Sequence, residues 1–195
     1  MAGAVTFYRF PVRLSYVRFE DTRSEDALHV VDTSLEGVEL RFLDPPSDAL
    51  DADFVALSIG GMSVNNVGGD GLDLSGATGR VAQLMVDGAG DKGVSVGESS
   101  HVTLRDVVVR GADIGVASKD SLVATVSTLR IAESNVGVAL YIKKPEYGPA
   151  KLIGTDIDVE DARRPFYVQV ASELSVDGTV PSDLDYEVAS YELTP

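Results

Sequence analysis

The feature that most limits what this chain can fold into is a step of 22 residues between small residues that each precede Leu or Val. Ala27, Ala49, Gly71, Gly93, Gly115 and Gly137 fall on that step, followed by Leu28, Leu50, Leu72, Val94, Val116 and Val138. Within Gly69–Gly97 the phrase is written twice, as Gly71-Leu72-Asp73-Leu74 and Gly93-Val94-Ser95-Val96, with apolar residues at alternate positions. A period in the twenties with this alternation and with Gly, Asp and Asn turns marks a solenoid, in which each unit buries its apolar face by stacking on its neighbours. A second apolar segment in each unit, such as Met62-x-Val64, Leu84-x-Val86, Val107-x-Val109 or Leu129-x-Ile131, precedes a turn into the small-residue strand. No helical period is present.

Corresponding strands of successive units run the same way, so they pair in parallel, about 4.8 Å apart. The handedness of parallel crossovers then predicts a right-handed coil. The expected fold is all-β, a right-handed parallel β-helix of about seven to eight rungs in a single domain over residues 1–195. Residues 1–15, with Phe7, Tyr8, Phe10, Val12 and Leu14, are expected to form the first rung or an N-terminal cap, and residues 16–170 the regular rungs. Residues 171–195 are expected to hold a last rung at Leu174-x-Val176 and a C-terminal cap or tail. After Gly137 the next matching strand, Phe166-Tyr167-Val168, follows Pro165; 165 minus 137 is 28, six residues more than the period. Pro145, Gly148 and Pro149 place that insertion near 141–149, as a projecting loop.

Thirty-one acidic against sixteen basic residues leave a net charge of −15, which disfavours nucleic acid and anionic membranes as partners. It is compatible with cations, neutral glycans or a saline habitat. No cysteine is present, which excludes disulfides and thiolate metal sites. The opening MAGAVTFYRFPVRLSYVRF lacks the pattern of a signal peptide, and no apolar run reaches membrane-spanning length, so no membrane insertion is expected. A start directly in the repeat suggests part of a longer polypeptide.

Alternation turns Leu72 and Leu74 inward and Asp73 outward. Stepping by 22 gives an outward column of His29, Asp51, Asp73, Ser95, Ala117 and Ala139, whose small members are expected to leave that face flat. Asp51 and Asp73 then stand side by side, where like charges share a proton or hold a cation. Asp48 and Asp70 immediately precede the small residue, so Asp48, Asp51, Asp70 and Asp73 are the candidates for a calcium site. Ordinary turn chemistry, in which Asp bonds its own backbone, accounts for the same aspartates. Lys119 is expected on the same side as Asp73. Lys143 and Lys144 on the insertion would reach a uronate, and Tyr147, with Tyr141 and Tyr167, would stack on sugar rings. His29 heads the outward column, whereas His101 lies in a turn; two histidines build no zinc site without carboxylates.

These repeats resemble the right-handed parallel β-helices of the pectate-lyase-like superfamily over about residues 12–170. Asp70-Gly71-Leu72-Asp73 is similar to part of the Asn-Thr-Asp-Gly-Ile-Asp element of polygalacturonase-type glycosidases. Asp91-Lys92-Gly93 lies one rung later, where that family has paired aspartates. The resemblance implies Asp70 and Asp91, with Asp73 beside them, as catalytic carboxylates. Lys92 stands where the family has its second aspartate, and Ile114-Gly115 where it has Gly-His-Gly, so the histidine is missing. Tyr141-Ile142-Lys143 is faintly similar to the family's Arg-Ile-Lys. Glycoside hydrolysis needs two carboxylates spanning the bond; lyase chemistry needs a base beside a cation.

Two functions are therefore expected from the sequence. The first is a non-catalytic extracellular or cell-surface module, a scaffold or a glycan-binding face. The alternative is a polysaccharide lyase or glycoside hydrolase using the outward aspartates with or without calcium. A single short insertion favours the first, because catalytic β-helices carry long loops that wall a groove. End-to-end self-association through terminal rungs is a third expectation.

Overall fold

The alternating apolar residues have only each other to bury against, and they do so by stacking coil upon coil. The computed structural model describes residues 3–120 and 123–187. The expected tail beyond residue 187 and the first two residues of the expected first rung lie outside them. Among the described residues there is no helix, and all the strands pair in parallel in a β-solenoid of about eight coils.

Each coil contributes to three stacks. The first comprises β1 (Val5–Tyr8), β3 (Asp26–Val31), β5 (Asp48–Asp53), β8 (Leu72–Ser75), the ends of β10 (Leu84–Gly97) and β11 (His101–Lys119), β13 (Val136–Tyr141), β15 (Arg164–Gln169) and β17 (Leu184–Glu187). In it Val5, Leu28, Leu50, Leu72, Val94, Val116, Val138, Phe166 and Leu184 lie in register. This is the ladder that the 22-residue step writes in the sequence. The second stack takes the starts of β2 (Val12–Phe19) and β4 (Ser34–Leu43), then β6 (Ala56–Ile59), β9 (Thr78–Val81), and the starts of β11, β12 (Val123–Ala132) and β14 (Lys151–Glu160), then β16 (Glu173–Val176). The third aligns Val17, Leu40, Leu84, Val107, Leu129 and Ile157 with Met62 of β7 (Met62–Val67).

One coil shows how the stacks share a core: Leu28, Leu35 and Leu40 come from the three sides and are all fully buried. Each such side chain contributes about 1.5–3 kcal/mol over its exposed state. Phe19 and Phe42 stack with ring centroids 4.8 Å apart on adjacent coils. The chain turns from the first stack to the second through left-handed residues, among them Asp32, Gly76 and Asp120.

Ala117 pairs with Ala139, a step of 22, while Val123 pairs with Lys151, a step of 28. The six extra residues therefore lie between Tyr141 and Lys151. The segment turns on itself, with the Tyr147 N–H donating to the Lys144 carbonyl at 3.0 Å. It projects at the edge of the first stack.

Candidate functional site

Strict alternation back from Leu72 would turn Asp70 into the core. Instead alternation breaks at the small residue of each coil, where Ala27 and Leu28, Ala49 and Leu50, Gly71 and Leu72, and Gly93 and Val94 are buried in succession. A Cβ added to Gly93 would press on the Val109 methyls and stand 2.7 Å from the Gly115 carbonyl oxygen. The residue before the small one is thereby freed to face outward. The first stack so presents three outward columns rather than one: Asp26, Asp48, Asp70 and Lys92; His29, Asp51, Asp73 and Ser95; Asp53, Ser75, Gly97, Lys119 and Tyr141.

Charges on these columns are packed against one another. Lys92 Nζ contacts Asp91 and lies 3.4 Å from Asp70 Oδ1. Lys119 runs across Gly97, whose missing side chain leaves room for it, and brings Nζ to 4.0 Å from Asp73 Oδ1. His29 Nε2 lies 3.2 Å from Asp53 and 3.5 Å from Asp51, with Nδ1 3.9 Å from Asp26. Asp26, His29, Asp70, Lys92 and Lys119 are buried, while Asp51, Asp53, Asp73 and Asp91 keep part of their surface in water. The cluster has a dry back and a wet lip.

Burial dominates the proton affinities. It pushes the Asp51 carboxyl up to about 8, with Asp53 and Asp73 adding repulsion. It pushes Asp70 up to about 7 against the pull of Lys92. Asp26 and Asp48 are raised by the same cause. For Lys119 burial pushes the ammonium below the ordinary lysine value, and Asp73 opposes it. For Lys92 burial acts the same way, but Asp70 and Asp91 outweigh it and hold the proton on. Burial raises the Tyr141 phenol as well, so it stays protonated.

Several sequence candidates meet here and others do not. Asp48, Asp51, Asp70, Asp73, Asp91 and Lys119 share the face. Asp48 and Asp70 also serve the backbone: Asp70 N–H donates to Asp48 Oδ1 at 2.7 Å, and Lys92 N–H to Asp70 Oδ1 at 2.9 Å. The cations that the fold sets beside Asp70 and Asp73 are lysine ammonium groups. Lys144 reaches Glu98, and Tyr147 is exposed on the inserted loop. His101 lies on the second stack, its Nδ1 2.9 Å from the Ser99 carbonyl.

The small members of the middle column do not leave a flat face. Ala117 and Ala139 are fully buried in a second apolar cluster with Ile114, Val136, Tyr141 and Tyr167. Shortened side chains in one column make the floor on which the tyrosines lie. Sequence reasoning also missed Asp26, Asp53, Glu98, Asp120 and Gln169. Asp26 sits one step of 22 before Asp48, a signal that was present; Asp120 and Gln169 announce themselves only through the backbone groups they meet.

No family model, curated protein or solved structure matches this chain.

Proposed function

We propose that the outer face of the first stack is the acid–base site of a carbohydrate-active β-helix that acts on acidic polysaccharide by proton abstraction. The observation that carries this reading is Lys119, an amine buried on the face with Asp73 Oδ1 4.0 Å from its nitrogen. Placing amines and carboxylates out of water costs stability unless they are fully paired, and Asp73 Oδ1 is buried without a hydrogen-bond partner among the described residues. A scaffold has no use for that expense; a site that moves protons does.

In this reading Lys119, its proton loosened by burial, accepts the proton on the carbon next to a uronate carboxylate. The C–O bond to the leaving sugar breaks as the new C=C bond forms. The electron pair ends on the leaving oxygen, which takes a proton from a protonated carboxyl such as that of Asp70. Asp73 positions Lys119, and Asp91 holds Lys92 charged. Lys143 and Lys144 supply positive charge for the polymer's carboxylates, and Tyr147 a ring to stack on. The likeness to the pectate-lyase-like superfamily supports the substrate class by analogy of fold only. An extracellular or cell-surface location goes with such a substrate.

Two observations favour a second reading, the non-catalytic glycan-binding or scaffold module. Among the described residues a single short loop borders the face, and Asp48 and Asp70 spend oxygens on backbone N–H groups. Both are tested on a panel of acidic and neutral polysaccharides, following the ultraviolet absorbance of new double bonds, the release of reducing ends, and binding. Turnover that falls about 10²–10⁴-fold in Lys119→Met with an unchanged circular dichroism spectrum is the expected result. Binding without turnover in the parent protein would leave the module, and neither would remove both.

A further inference from the structure

We propose that Asp26, His29 and Asp51 form a site for one divalent transition-metal ion, with Asp53 as the carboxylate that orients His29. The site occupies the first coils of the face and is independent of the chemistry assigned to Lys119. Asp26 and His29 stand on β3 and Asp51 opposite His29 on β5. One ligand atom from each of the three lies within 4.8 Å of the other two.

An acidic cluster alone would not make a site; two orphaned atoms do. Asp26 is 2% exposed and His29 8%, and Asp26 Oδ2 and His29 Nδ1 are both buried without a hydrogen-bond partner among the described residues. Buried polar atoms are otherwise almost always paired. These two face each other at 3.9 Å, too far for a hydrogen bond. An ion about 2.0–2.2 Å from each ligand atom bridges just such a gap.

The other side of the ring is prepared to match. With its proton on Nε2, His29 donates to Asp53 Oδ2 at 3.2 Å, and Nδ1 presents its lone pair toward Asp26. A ligating histidine usually gives its second nitrogen's proton to a carboxylate in this way, which fixes the tautomer and the ring. Two carboxylates balance the charge of a divalent ion. One imidazole nitrogen with two carboxylate oxygens suits zinc or manganese, whereas calcium asks for six to eight oxygens.

The test uses the full chain stripped of metal and titrated with zinc, manganese or calcium alone, by calorimetry and thermal melt. One ion of zinc or manganese per chain should bind and raise the melting temperature, because binding to the folded state stabilises it. His29→Gln and Asp26→Asn should each weaken that binding at least tenfold, Asp53→Asn about tenfold through the lost ring anchor, and Asp91→Asn not at all. Should the His29 variant fail to fold, pulsed electron paramagnetic resonance on the parent chain loaded with manganese should show coupling to one imidazole nitrogen. No stoichiometric zinc or manganese binding, no nitrogen coupling, or equal binding in folded His29→Gln would each overturn the assignment.

Discussion

At the scale of single residues, carboxylates on the first stack divide by what their oxygens do. Asp48, Asp70 and Asp120 accept backbone N–H groups of the following coil, and so hold the chain. Asp26 and Asp73 each leave a buried oxygen without a hydrogen bond among the described residues. Asp120 is the strongest structural case: 1% exposed, it accepts the N–H groups of Lys143 and Lys144 at 2.8 and 2.7 Å and so ties the inserted loop to the stack. Asp120→Ala leaves two amides without their acceptor and should cost about 1–3 kcal/mol in urea unfolding. Hydrogen exchange should lose protection at those two amides, while Asp120→Asn, which keeps an oxygen there, should retain most of it. Unchanged protection in the alanine variant would show that the loop is held by other contacts.

At the scale of the elements, the ladder of the first stack was legible because one apolar residue per coil must meet its copy above and below, and only a constant step allows that. The lengthened step near Pro145 was legible for the same reason. The site was only half legible: the step of 22 brought Asp48, Asp51, Asp70 and Asp73 together, but it does not show which of their oxygens meet backbone N–H groups and which meet ammonium groups. Beside the column of His29, Asp51 and Asp73 stands that of Asp26, Asp48, Asp70 and Lys92, in which the Asp70 and Lys92 N–H groups donate to the carboxylates of Asp48 and Asp70. The small residue, Ala27 or Ala49 in the first coils and glycine from Gly71 on, is the one sequence mark of the break in alternation at each coil. Lys92, set down from the sequence as a replaced aspartate, is the ion that neutralises Asp70 and Asp91. That glycine column yields its own expectation. Gly93→Ala would push a methyl against the Gly115 carbonyl and Val109, both fixed in the stack, and overpacking of this kind costs about 1–3 kcal/mol. A loss below about 0.5 kcal/mol in urea unfolding would mean that the stack relaxes around Val109 and Gly115 to admit a Cβ.

At the scale of the whole molecule, the buried carboxyls make stability run against pH in an unusual direction. A carboxyl whose folded pKa lies above its unfolded value stabilises fully below the unfolded value, and that contribution is lost as pH rises through the folded one. Asp26 and Asp48 are shifted up, Asp70 to about 7 and Asp51 to about 8, so the metal-free protein should lose stability steadily from about pH 4 to about pH 8. Lys119, shifted down, acts oppositely, but only where it sheds its proton before the unfolded chain does, toward the alkaline end. General repulsion from a net charge of −15 also grows over the carboxyl range, so a falling melting temperature alone would not locate the cause. Asp51→Asn separates the two, since it removes one charge in fifteen but the whole of one buried titration. In metal-free protein it should match the parent at about pH 2.5, well below the ordinary aspartate value of about 3.9, where Asp51 is neutral in both states, and exceed it by several degrees above about pH 8, where the parent must hold an ionised carboxylate beside Asp53 and Asp73. Equal melting temperatures at both ends of that range would mean that water reaches Asp51 freely, and the slope would then belong to the surface charge.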